Sequence, residues 1–173
     1  DTILEDKSLY RSRGALDFGL YYFGNTGTEE NKYQILLEGA VYADNNGYSA
    51  IWTPERHFNE FGGPFPNPSV LGAAIAAKTQ NISIRAGSVV AGLHHPIRIA
   101  EEWSVVDNIS GGRAGLCFAS GWNPNDFVFF PENFDNRKSI LFDSIKAVLS
   151  LWRGNSVNFK GSDTIEKPFK ILP

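Results

Sequence analysis

The stretch ISIRAGSVVAGLHHPIRIAEEWSVVDNISGGRAGLCFAS, residues 82–120, decides the fold. Residues 82–92 are apolar and small, with no clean alternation, which reads as a strand covered on both faces. Pro96 is placed to open a helix, and Ile99, Trp103 and Val106 fall on one face of it. Ser110-Gly111-Gly112 closes that helix, and residues 113–120 form a second apolar strand. Strand, helix and strand in this order make the βα module of a parallel sheet.

The same phrase recurs on both sides. DFGLYYFG, from Asp17, reads as a strand, and residues 32–46 as a helix with Tyr33, Leu36, Leu37, Ala40, Val41 and Ala43 inward and Gly47 just past its end. SAIWT, residues 49–53, is the next strand, followed by a long loop rich in proline and glycine from Pro54 to Pro68. Asn67 can cap a helix that starts at Pro68. A last helix has Leu141, Ile145, Val148, Leu149 and Trp152 inward and stops at Gly154. Strand starts near 18, 50, 82 and 113 give a beat of 31 to 32 residues.

Two architectures share this beat, an open doubly wound sheet and a (β/α)₈ barrel. The first strand's loop, GNTGTEEN, lacks the G-x-G-x-x-G phosphate cradle expected of a doubly wound nucleotide binder. The unusual residues cluster after strands two, three and four, as in a barrel with its chemistry at the strand C-termini. The expected fold is therefore a (β/α)₈ TIM barrel, of which this chain supplies the first four to five βα units. Residues 1–16 read as a leader or linker and 17–173 as the N-terminal half of the barrel. A whole barrel takes about 250 residues. The chain has 173 residues and no Met, and it is expected either to be a segment of a longer protein or to have the rest of the barrel supplied by another chain.

Composition narrows the function. Lys plus Arg is 16 against 19 Asp plus Glu, a net charge of −3, so no positive excess exists for a nucleic-acid backbone. One Cys excludes an internal disulfide, and three His, two of them adjacent, make a zinc site improbable; no metal is expected. The apolar runs are too short for a bilayer span and no secretory signal opens the chain, so the expected setting is cytoplasmic, without membrane.

Three phrases carry candidate chemistry. WTPERHF, residues 52–58, puts Glu55, Arg56 and His57 just past strand two, and His is the natural proton-transfer group near neutral pH. By spacing alone, a solvated loop with a Glu-Arg pair reads slightly better. SVVAGLHHP, residues 88–96, brings small residues to the barrel mouth, where a flat ring could lie near backbone; His94 and His95 read as surface residues. SGGRAGLCFASGWNPNDF, residues 110–127, offers Ser120 and Gly121 as a polar, flexible strand end and Trp122 as an aromatic wall, with Cys117 as a small core residue. Arg137, at the start of the last helix, could meet a phosphate or a polar ring edge, although a lone Arg there is more often a surface residue.

Taken together, DFGLYYFG, YSAIWTPERHF, residues 63–127 and PENFDNRKSILFDSIKAVLSLWRG resemble the luciferase-like flavin-dependent monooxygenases, most closely the branch associated with polyketide and nonribosomal peptide assembly lines. The resemblance implies reduced FMN and O₂ at the C-terminal mouth of the barrel. It implies His57 and Glu55 as catalytic residues, and Val89, Val90, Ala119, Ser120, Gly121, Trp122 and Arg137 as cofactor-binding residues. It places a non-proline cis peptide near Ser88, Val89 and Val90. Arg56 stands where bacterial luciferases have a second His, and Ala119 and Ser120 stand where they have Cys and Arg. EKPFKILP resembles the lead-in to a fifth strand, beyond which much of the flavin phosphate site lies in the family.

The function so implied is an FMN-dependent monooxygenase that hydroxylates, or inserts oxygen into, a natural-product intermediate, carrier-bound on an assembly line. Its partners would be a carrier protein or small-molecule substrate, a flavin reductase and a second copy in a homodimer. The isolated segment is expected to be inactive. Two alternatives stay open: a free-standing small-molecule monooxygenase, and a non-catalytic half-barrel that serves as scaffold or dimerisation element.

Overall fold

The structure, a computed structural model, describes residues 16–25 and 31–173. The expected leader, apart from Leu16, and part of the first strand's loop lie outside the described residues.

Four strands form one parallel sheet in the order β1 (Gly19–Tyr21), β2 (Ala50–Thr53), β3 (Ser83–Val90) and β4 (Ala114–Ala119). Between them run α1 (Gln34–Asn45), α2 (Pro68–Ala76) and α3 (Pro96–Ser110), and α4 (Arg137–Trp152) follows β4. Each helix touches the next, α1 on α2, α2 on α3 and α3 on α4, so they form one layer. Neighbouring strands that are consecutive in sequence, with helices side by side outside, make this part of a (β/α)₈ barrel.

The caps behave as their chemistry requires. Asn67 Oδ1 accepts the N–H groups of Ser69 and Val70, and Pro68 takes the first helical position. His95 caps α3 through Nδ1, which accepts the Ile97 N–H. Gly111 ends α3 at φ 69°, a left-handed conformation that favours glycine. The core lies between sheet and helices and holds Leu36, Ala40, Ile51, Ile75, Ile84, Ile99, Trp103 and Val106.

Several expectations need correction. The inner face of the sheet is open, with Tyr21, Arg85 and Cys117 exposed, because the helices cover only the outer face. In this segment Cys117 stands on that open face and not between sheet and helices. On α4 the buried residues are Ser144, Val148 and Leu151, while Leu149 and Trp152 stand at the exposed margin. β3 stops at Val90, and Ala91–Leu93 is a 3₁₀ turn. After α4 comes an antiparallel hairpin, β5 (Val157–Lys160) and β6 (Glu166–Phe169), where the sequence reading had only a lead-in.

Candidate functional site

Glu55 leaves the end of β2 and turns into the protein, where its side chain is fully shielded from solvent. A carboxylate there needs donors on both oxygens. Oε1 accepts from His57 Nε2 at 3.1 Å and from His94 Nε2 at 2.6 Å. Oε2 accepts the Val90 backbone N–H at 2.6 Å. Burial opposes ionisation of Glu55, but the hydrogen bonds from His57 and His94, the His94 charge and the Val90 N–H outweigh it and hold the carboxyl below its usual range. Burial likewise disfavours charge on His94, and the Glu55 hydrogen bond and charge, with Glu102, push its pKa up instead. Each group thus favours the charged form of the other. An ionised Glu55 also fixes the His57 tautomer, since Nε2 must carry the hydrogen that it donates.

In front of Glu55 opens a cavity of about 320 Å³ at the C-terminal ends of the four strands. Tyr21 and Phe23 come from the β1 side, Arg56 from the β2 loop, and Gly87, Ser88 and Val90 from β3. Ala119, Ser120, Gly121 and Trp122 close the β4 side, with Asp126 beyond. The Gly87–Ser88 peptide is cis, where the resemblance placed one. Two glycines keep the floor low. A Cβ on Gly87 would stand 3.1 Å from the Trp52 and Tyr21 rings, and one on Gly121 would stand 2.9 Å from Phe127 and Val90 at a φ of 80°. The Tyr21 hydroxyl donates to the Gly87 carbonyl at 2.9 Å, tying β1 across β2 to β3.

The structure brings most of the expected residues together. Glu55, Val90, Ala119, Ser120, Gly121 and Trp122 share the cavity wall. His57 is 7% exposed and sits behind Glu55, with its ring against Phe58 and Phe129. Val89 is 2% exposed and belongs to the core. The register shift between Gly87 and Val89 separates the two valines and leaves Val90 on the wall. Arg137 is not on the wall; its Nη1 donates to the Phe134 carbonyl at 2.7 Å and its guanidinium lies over the Phe134 ring. His94 corrects the surface reading of the His pair. The signal was its place directly after strand three, but its partner Glu55 is 39 residues away in sequence. Among the described residues no group of His, Cys, Asp and Glu is set to hold a metal ion. No helix among them is long and apolar enough to cross a membrane.

Residues 18–173 match the family model of luciferase-like monooxygenases. Among curated proteins, the oxygenase component of flavin-dependent trigonelline monooxygenase from Acinetobacter baylyi is 33% identical over 130 residues, 74% of this chain and 36% of that protein. Among solved structures, a monooxygenase from Streptomyces bottropensis superposes with a TM-score of 0.81 at 29% identity, over 91% of this chain and 49% of that one. The oxygenating constituent of 3,6-diketocamphane monooxygenase from Pseudomonas putida, solved with FMN, shares the fold with a TM-score of 0.76 at 20% identity, over 91% of this chain and 45% of that one. The chain therefore spans about a third to a half of the length of these proteins.

Proposed function

The chain belongs to the luciferase-like monooxygenase family, and from that membership we propose that the complete protein is a flavin-dependent monooxygenase. It uses reduced FMN and O₂ to hydroxylate, or insert oxygen into, a natural-product intermediate. The observation that carries this reading is the cavity whose floor is Gly87, Ser88, Ala119, Ser120 and Gly121. Only small residues there let a flat ring approach the backbone, and the added Cβ distances at Gly87 and Gly121 measure how little room a larger side chain would leave. The Ser88 and Ser120 hydroxyls are donors suited to the carbonyl and nitrogen edges of an isoalloxazine. The residues present fit the flavin ring.

Reduced FMN, when bound, supplies the electrons for activating O₂. The chain's own residues bind, orient and handle protons. Val90, Ala119, Ser120 and Gly121 would hold the ring, and Trp122 would screen it from water. Val89 and Arg137 would support the wall from outside it, Arg137 through its hold on Phe134. Glu55 Oε1 accepts from both His57 Nε2 and His94 Nε2, so a proton carried on either imidazole lies against the same oxygen. As a catalytic pair, Glu55 and His57 would pass that proton at the cavity wall.

The partners follow from the same reading. The complete protein would work with a separate flavin reductase in the cytoplasm. It would form a homodimer over exposed apolar residues of α2 and α3, Val70, Val105 and Ile109. A carrier-bound substrate rests on the assembly-line resemblance of the sequence phrases. A free small molecule is the competing substrate form, favoured by the relative named for trigonelline.

Anaerobic titration of the complete protein with reduced FMN tests the core of the proposal. Saturation at micromolar concentration is expected, and no binding would return the segment to a scaffold role. Carrier dependence is read with the same aromatic acyl group tethered to a carrier protein and as its free N-alkyl amide. Greater incorporation of label from ¹⁸O₂ into the tethered form is expected, and equal incorporation removes the carrier.

A further inference from the structure

Arg56 is held more firmly than a loop arginine needs to be. Its backbone N–H donates to the Phe65 carbonyl at 2.9 Å. Its guanidinium carbon lies 5.9 Å from the centre of the Phe23 ring and 5.5 Å from that of Trp122. Flanking aromatic faces suit the planar cation and fix its plane. Yet Nε is buried and has no hydrogen-bond partner among the described residues. Nε is closed off by the protein itself, so what the cavity presents to a ligand is the far end of the guanidinium.

The other charges on the cavity wall are already engaged. Both oxygens of Glu55 are taken by His57, His94 and Val90. Asp126 accepts from Asn123 Nδ2 at 2.8 Å, and the charges of His57 and Arg56 act on it against the burial that pushes its pKa up. Arg56 is the one cationic side chain among the described residues lining the cavity. Beside it on the wall stands the exposed ring of Trp122.

We propose that this cavity takes a planar aromatic substrate bearing an anionic oxygen, a carboxylate or phenolate, with Arg56 as its counter-ion and Trp122 as its stacking face. A charge-assisted bond is about twice as strong as a neutral one, so a desolvated guanidinium selects an anion over an amide. The proposal deepens the monooxygenase reading, on which its status as substrate recognition rests. The phosphate of the flavin is the other anion that could meet Arg56, and the experiment separates the two.

Benzoate and benzamide are titrated calorimetrically into the complete protein, alongside FMN. The wild type is compared with Arg56→Met, which keeps the length and loses the charge, and Arg56→Lys, which keeps the charge. Expected are benzoate binding at least tenfold tighter than benzamide in the wild type, loss of that preference in Arg56→Met, and its partial retention in Arg56→Lys, with FMN affinity within twofold throughout. The proposal is overturned if the wild type does not prefer benzoate, or if Arg56→Met keeps the preference. It is also overturned if Arg56→Met weakens FMN tenfold and leaves benzoate unchanged, which would assign Arg56 to the flavin. Because Met removes a buried unsatisfied donor, both variants are expected to melt within a few degrees of the wild type. Should Arg56→Met unfold, a benzoate preference abolished in a folded Arg56→Lys overturns the charge argument. A wild type that prefers benzoate but binds no FMN sinks the flavin reading and leaves the anion site standing.

Discussion

At the scale of single residues, Glu55 organises the site and His57 is its most testable partner. His57 is buried, bonded to Glu55 and packed between Phe58 and Phe129. A purely structural His57 and a proton-handling one differ in what Asn does there. Asn still offers an N–H to the carboxylate but has no titratable nitrogen. His57→Asn in the complete protein should cut turnover by at least about a hundredfold while FMN binding stays within a few-fold and the melting temperature within a few degrees. Turnover within a few-fold of wild type would make His57 a packing residue. The sequence shows Glu55 and His57 as a phrase but hides why they matter. Desolvation of the carboxylate and its sharing between two imidazoles depend on His94, which only the winding of β3 beside β2 brings near.

At the scale of elements, helix caps and strand phrases are legible because their causes are local. Asn67-Pro68 and Ser110-Gly111 announce helix ends through their own side chains and backbone. Periodicity predicts Leu149 inward and Leu151 is the buried one, because the precise face of α4 is set by its neighbours and not by periodicity alone. In the β5–β6 hairpin, β5 alternates Val157 and Phe159 with Asn158 and Lys160, but four residues are short for a signal, and β6 carries Glu166, Lys167 and Pro168 without alternation. The least legible anchor is Asp44, near the end of α1. Its carboxylate accepts the N–H groups of Gln80, Asn81 and Ile82 and fixes the entry to β3. Burial alone would raise its pKa, but those three donors and the charge of Arg113 lower it. Its folded pKa lies below the unfolded one, so its contribution is complete above about pH 4 and is lost as pH falls through the folded value. Asp44→Asn should lower stability by about 1 kcal/mol at neutral pH, allowing for solvent screening, and flatten the acid limb of a stability–pH curve. An acid limb identical to wild type in urea titrations would remove Asp44 from this role.

At the scale of the whole molecule, stability and chemistry occupy opposite ends of the sheet. Arg113, at the N-terminal end of β4, makes five hydrogen bonds, to the carbonyls of Ser110, Ala76, Thr79 and Ile82 and the Thr79 hydroxyl. It joins the end of α2 to the starts of β3 and β4. Removing it orphans several carbonyls at once, and Arg113→Met should cost about 3 kcal/mol in denaturant unfolding. FMN affinity should be untouched, and the stability loss should add to that of His57→Asn within about 0.5 kcal/mol, because the two sites share no partner. A coupling well above that would show that the two ends are not independent. This division was foreseeable from the barrel reading, which puts conserving contacts below and reactive groups above. Which valine faces the cavity was not, because the register shift in β3 leaves no mark in an apolar run.

The four tryptophans sit in unlike surroundings. Trp103 is 1% exposed in the core, while Trp122 is 73% exposed beside the Arg56 guanidinium. Trp152 donates its indole N–H to the Ala100 carbonyl at 3.1 Å, and Trp52 lies under Arg85. Their emission is therefore spread by environment: Trp122 belongs to the red edge and within reach of an aqueous quencher, Trp103 to the blue and out of reach. One chromophore type thus reports on two places, so that events at the cavity mouth leave an optical trace separable from melting of the core.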